Sequence, residues 1–187
     1  MSEHTEMDLR YPIGKVTDQP FCDKETFDEN AKSSYLMEIK ILPSLLEHAV
    51  LNLDAHQLET PYRPEGWTVK ELIHHVADSH INAYIRFKLG LTEDNPTIKP
   101  YEEAEWAKLS DTKNLPINIS LTLLHALHAR LYELLLNMKE QDFERTIYHP
   151  EQKRSITLWS LFGMYAWHGK HHAAHITKLR EVRKSVR

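Results

Sequence analysis

From Thr68 to Leu91 the chain contains no proline, and its apolar residues fall on more than one side of a helix drawn through them. Val69, Leu72, Ile73, Val76, Ala83 and Phe87 form one stripe, while Ile81, Ile85 and Leu89 add apolar surface on another side. A helix apolar on more than one side is normally central, so the rest of the chain must pack around this one. Thr68 and Glu71 have the spacing of a capping box, and Gly90 is predicted to end the helix. What remains is a narrow polar strip of His75, Asp78, Ser79, Asn82 and Arg86. The strip reads either as a solvated face or as the wall of a cavity, and periodicity does not choose between them.

Three further helices supply the packing. One spans about 23–52, with Phe27, Tyr35, Ile39, Leu42, Leu46 and Leu53 recurring at helical intervals. Pro43 lies inside it and is expected to kink or restart it, because proline removes a backbone donor and crowds the preceding turn. Residues 58–66 form a loop rich in proline. The connection over 92–114 holds Pro96, Pro100 and a short helix near 102–108, and is long enough to cross a bundle. A third helix over 116–138 carries Leu121, Leu124, His128, Leu131, Leu135 and Met138 as its stripe. After a proline-containing link, Thr157 is the expected N-cap of a fourth helix reaching about Val182, whose negative C-terminal end is partly complemented by the basic tail Lys178 to Arg187. The chain has only five glycines, no strand signal and no internal repeat. These features predict an all-α four-helix bundle, one domain over 1–187, with an extended N-terminal arm over 1–22.

Charge and cysteine content narrow the functional classes. A formal charge of −4 and a pI near 6.3 offer no electrostatic case for nucleic acid. No apolar run is long enough for a membrane span, so no membrane partner is expected. The single Cys22 rules out an internal disulfide, and the N-terminus is acidic and polar; a reducing, cytoplasmic compartment fits both. Cys22 has no nearby histidine in sequence and is a weak candidate nucleophile.

The histidines are distributed unevenly. Four of the thirteen, His168, His171, His172 and His175, lie within eight residues of the fourth helix. Leu158, Leu161, Phe162, Tyr165, Ile176 and Leu179 define its apolar sector, with His172 inside and His168 at the edge. His175 falls further out and His171 points away. Spacing therefore favours His168 and His172, one turn apart, as metal ligands over His171 and His175. A lone buried histidine is most simply a core residue bonded to a neighbour. Two on one inward face need two sets of partners, which a metal satisfies at once. On the second helix His80 lies nearest the apolar stripe, His75 on the polar strip and His74 beyond it. His128 reads as a satisfied core residue or a support for the site. His48, His56, His125 and His149 carry no spacing signal.

Several segments together resemble the YfiT-like group of the DinB superfamily. They are Tyr11-Pro12-Ile13-Gly14, the run Pro61 to Thr68, the run His74 to His80, and Tyr165-Ala166-Trp167-His168 with His172. The likeness continues through Asn82 to Lys88 and Glu93 to Pro96, covering nearly the whole chain. The resemblance implies an up-down-down-up bundle and one divalent metal, zinc or nickel, held by His75, His168 and His172. It also implies a cytoplasmic homodimer.

Three imidazoles leave a coordination position open, as in catalytic zinc sites. The first expectation is a metal-dependent hydrolase that activates water for attack on a small-molecule substrate. Gly169 stands where H-E-x-x-H proteases carry their glutamate, so the base must come from elsewhere. Asp78, His171 and His175 are the candidates. The alternative is a thiol S-transferase, which the resemblance implies would be of the bacillithiol type: the metal binds a low-molecular-weight thiol as thiolate and Arg86 is the candidate for its carboxylates. A third reading is a non-catalytic metal- or ligand-binding stress protein, in which His80 or His128 closes the site as a fourth ligand.

Overall fold

The computed structural model describes residues 9–19, 21 and 26–185. Four long helices dominate it: α1 (Glu29–Val50), α2 (Val69–Thr92), α3 (Ile117–Leu136) and α4 (Leu158–Ser185). Local chemistry sets their starts. Asp28 caps α1 by accepting the Ala31 N–H at 2.7 Å. Thr68 and Glu71 form the reciprocal capping box of α2. The Thr157 hydroxyl accepts the Ser160 N–H at 3.1 Å at the start of α4.

Helix directions follow from side-chain contacts. Lys170 pairs with Glu38, and Arg180 reaches the Ala49 carbonyl, so α4 runs parallel to α1. Lys32 donates to the Met138 carbonyl and Glu47 meets His125, so α3 runs antiparallel to α1. His74 bonds Ser120 and His80 bonds His128, so α2 and α3 are parallel. The bundle is therefore up-down-down-up. Helices α1 and α2 each pack on both α3 and α4, and consecutive helices α1 and α2 sit diagonally. The long second connection is what permits two parallel helices in succession.

Three local expectations need correction. Helix α1 runs unbroken through Pro43, which is buried within it. Its cost is local: Pro43 cannot bond the Ile39 carbonyl one turn back, and His128 Nδ1 takes that acceptor instead at 2.6 Å. Gly90 does not end α2, which continues to Thr92. A Cβ at position 90 would lie 2.7 Å from Leu158 Cδ2, so glycine here permits close approach to the start of α4. Finally, the link before α4 is a hairpin, β1 (Thr146–His149) paired antiparallel with β2 (Arg154–Thr157). The connection after α2 is stitched to it, because Tyr148 N–H donates to the Pro96 carbonyl and Ile98 N–H to the Tyr148 carbonyl. The β-branched and aromatic residues Thr146, Ile147, Tyr148, Ile156 and Thr157 suit paired strands, but four residues per strand are too few to show periodicity. Within the long connection, short helical turns form at Glu103–Trp106 and Ser110–Asn114.

The described part of the arm lies along α4 of the same chain. Phe21 is buried against Gly163, where a Cβ would fall 2.5 Å from Phe21 Cβ. Ser160 donates to the Phe21 carbonyl, and His175 Nε2 donates to that of Arg10 at 3.4 Å. Residues 1–8 of the arm and Cys22 lie outside the described residues, as do the side chains beyond Glu181.

Two apolar clusters fill the bundle. One gathers Ile39, Ala83, Phe87, Leu131 and Tyr165, and the other Leu42, Val76, Ala77, Leu124 and Ala173. On α2, α3 and α4 the residues between these two sets include His80, His128, His168 and His172. A layer of imidazoles thus crosses the core between two hydrocarbon layers.

Candidate metal centre

Ligand atoms of His75, His168 and His172 all lie within 4.8 Å of one another. His75 comes from α2, and the other two, one turn apart, from α4, which packs antiparallel against it. His75 and His172 are buried, while His168 keeps partial exposure. The Nε2 atoms of His168 and His172 stand 3.0 Å apart. Two nitrogens bound to one tetrahedral zinc at about 2.0–2.1 Å are separated by roughly 3.4 Å, so the rings would part by a few tenths of an ångström to share an ion. Among the described residues no carboxylate or thiol belongs to the cluster. The donor set is all imidazole, as zinc or nickel accepts.

Electrostatics keep these rings neutral and so competent as ligands. Burial pushes His75 down to about 4, and burial followed by repulsion from neighbouring imidazoles holds His168 and His172 well below the ordinary histidine value. His172 Nδ1 is buried without a partner, which is costly for a polar atom. The Trp67 ring packs on His75 at 4.4 Å between centroids and so restricts the imidazole.

In the polar strip of α2, His75 and Ser79 are buried while Asp78, Asn82 and Arg86 are half-buried, so it is not a freely solvated face. Asp78 is half-buried and falls outside the nitrogen cluster. Burial, with help from Asp111, raises it to about 6. Arg86 donates to the Tyr165 hydroxyl at 2.9 Å, and the Tyr165 ring lies 6.0 Å from that of His168.

His171 does not point away as periodicity suggests. It is buried, stacked on Trp167 at 4.4 Å and 4.3 Å from the His175 ring, which in turn packs on Tyr62 at 4.1 Å. The loop before α2 covers that side of α4, and an isolated helical wheel contains no information about it. His74 is buried too, bonded to Ser120 at 2.8 Å.

Among the described residues, His80 and His128 fall outside the cluster of three. His80 Nδ1 faces His128 Nε2 at 3.0 Å and its Nε2 faces His168 Nδ1 at 3.4 Å, while His128 Nδ1 is held by Ile39. All four nitrogens are engaged within the core. Helical spacing alone sets both histidines near the site but does not show this connection. Its one local signal is Pro43, four residues after Ile39, which marks a carbonyl needing a donor from elsewhere.

Comparison with known proteins agrees with this architecture. Residues 38–176 match the model of the DinB superfamily. A "Putative metal-dependent hydrolase" of Bacillus mycoides is 51% identical over 174 residues, covering 93% of this chain and 96% of that protein. A like-named protein of Bacillus anthracis is 50% identical over the same span. Among solved structures, YfiT from Bacillus subtilis, described as a probable metal-dependent hydrolase with an unusual four-helix bundle topology, superposes with a TM-score of 0.89. It is 43% identical, and the match covers 95% of this chain and 99% of that one. A mycothiol-dependent maleylpyruvate isomerase shares the fold at a TM-score of 0.64 and 19% identity, over 84% of this chain and 63% of its own. With its helix order, its histidine-lined core and most of its length accounted for in this way, the chain belongs to the DinB superfamily.

Proposed function

We propose that this chain is a metal-dependent hydrolase whose His75, His168 and His172 hold one divalent ion, zinc in the first instance and nickel as the alternative. The observation that carries the reading is the convergence of three neutral imidazoles with no fourth protein donor in the described cluster. Such a set leaves a position for water or substrate, as catalytic sites do and closed structural sites do not. When bound, the ion supplies a Lewis acid and a water acidic enough to ionise near neutrality. His168 and His172 form one edge of the site on α4, and His75 closes it from α2. Asp78, one turn along α2 from His75 and raised to about 6, is the carboxylate whose basicity best suits proton acceptance near neutral pH. The names carried by its relatives support the same reaction class.

The test is metal analysis after gentle purification, followed by ester and amide cleavage with the metal-loaded chain. About one ion per chain and hydrolysis abolished by His75→Ala are expected. Less than about half an ion per chain, or cleavage indifferent to chelation, would defeat the proposal.

One observation favours a second reading, thiol S-transfer. Arg86 is a cation held in place by Tyr165, whose ring adjoins His168, and could receive the carboxylates of a low-molecular-weight thiol. Metal coordination deprotonates a thiol without a dedicated protein base. Metal-dependent conjugation of a thiol to an aryl halide, lost in both His75→Ala and Arg86→Gln, would replace the hydrolase reading. The engagement of His80 and His128 with each other speaks against the closed, non-catalytic site.

A further inference from the structure

A line of ring nitrogens runs from the backbone of α1 to the candidate metal centre. Ile39 O lies 2.6 Å from His128 Nδ1, His128 Nε2 lies 3.0 Å from His80 Nδ1, and His80 Nε2 lies 3.4 Å from His168 Nδ1. The far nitrogen of His168, Nε2, is the one that meets His172. A carbonyl oxygen only accepts, and a neutral imidazole carries one N–H and one lone pair. His128 must therefore donate from Nδ1 and accept at Nε2. That makes His80 the donor from Nδ1 and leaves its Nε2 to accept from His168 Nδ1. Each link determines the next.

The chain has a definite origin. In an uninterrupted helix the Ile39 carbonyl would be bonded by the N–H of residue 43, and Pro43 has none. We propose that Pro43 frees the Ile39 carbonyl to set the tautomer of three successive imidazoles, so that His168 is held with its proton on Nδ1 and its Nε2 lone pair facing the metal position. His80 and His128 are then positioning residues: they touch no substrate, but they orient one ligand and raise its basicity, as carboxylates and carbonyls do behind other metal-bound histidines. Burial supports the required neutral state, pushing His128 down to about 4.

The same logic separates the two ligands of α4. With His168 Nε2 bare, His172 Nε2 at 3.0 Å must donate to it in the metal-free protein, leaving the buried, partnerless His172 Nδ1 as the acceptor. Metal binding then requires the His172 proton to move from Nε2 to Nδ1, while His168 stays as it is. One ligand is preset and the other switches.

The metal consequence rests on the hydrolase site proposed above, but the tautomers can be read without it. Ring nitrogens of 15N-histidine protein are assigned by long-range 1H–15N correlation, first metal-free and then with zinc. The expected result is Nδ1–H at His128, His80 and His168 in both states, with His172 moving from Nε2–H to Nδ1–H on loading. In His128→Leu, the His168 tautomer should become mixed and zinc affinity should fall roughly 10–100-fold. Pro43→Ala restores a competing N–H to Ile39 and should shift both readouts in the same direction by a smaller factor. A proton on His168 Nε2 in the metal-free wild type overturns the proposal, as do unchanged tautomers and affinity in both variants. The predicted tautomers in a protein that takes up no zinc would instead defeat the metal reading alone.

Discussion

Gly169 of α4 lies directly against Leu42 of α1: a Cβ at position 169 would fall 2.7 Å from Leu42 Cδ1 and closer still to Cδ2. This contact explains why the H-x-x-x-H pair of α4 has no glutamate after its first histidine. Position 169 faces the packed α1–α4 seam, so a carboxylate there would be buried in hydrocarbon rather than presented to substrate.

The first prediction follows from that contact. Gly169→Ala should lower stability by about 1–3 kcal/mol through overpacking, against a helix-propensity gain of about 1 kcal/mol. Denaturant unfolding would check it. A variant more stable than wild type would mean the helices are not in contact there.

Removing a ligand should cost more than removing a support. His75→Ala or His172→Ala should weaken zinc binding by more than the roughly 10–100-fold expected of outer partners. A ligand bound only by the folded state, at about a hundred times its dissociation constant, stabilises by about 2.7 kcal/mol. Zinc should therefore raise the melting temperature of the wild type and leave that of His75→Ala unmoved. An equal zinc-induced rise in both would remove His75 from the site.

Asp78 carries a pH prediction. A general base acts only when deprotonated, so activity should rise as pH passes upward through about 6 and fall away below it. Asp78→Asn should reduce turnover by roughly 10²–10⁴ and erase that acid limb. Should the limb persist in Asp78→Asn, the base lies elsewhere, with His171 and His175 next to be tried.

Acid should also unfold the metal-free protein, through its buried imidazoles. His128 titrates near 6.5 when unfolded and at about 4 in the fold, so between those values the unfolded chain binds more protons. Its contribution is fully present above about 6.5 and is lost as pH falls toward 4. For one ring the loss is on the order of 3 kcal/mol. Burial lowers His74 and His80 in the same direction, which adds to the slope. Unfolding free energy measured across this window should decline with falling pH, more shallowly in His128→Leu. A flat profile would show that these rings are not held neutral in the native core.

Much of this molecule is legible in the order of its residues. The capping box at Thr68 and Glu71, the Thr157 cap, the four helices and the pairing of His168 with His172 all rest on spacings of three or four residues. Such spacings act within one or two turns, so each helix expresses them alone. The resemblance carried by the longer motifs added His75, which periodicity had left undecided between wall and surface.

Other features exist only once helices pack. Whether the strip bearing His75 meets water or α4 depends on the up-down-down-up order, which sets α2 antiparallel to α4 and beside it. His175, against which His171 packs, is covered by Tyr62 from a loop more than a hundred residues away in sequence. Pro43 marks a missing donor in the sequence, yet only the arrival of α3 decides that His128 fills the vacancy and hands its direction on to His80 and His168. Local periodicity determines which side chains a helix offers; the packing of four helices, through distances of three ångströms between rings, determines which of them meet.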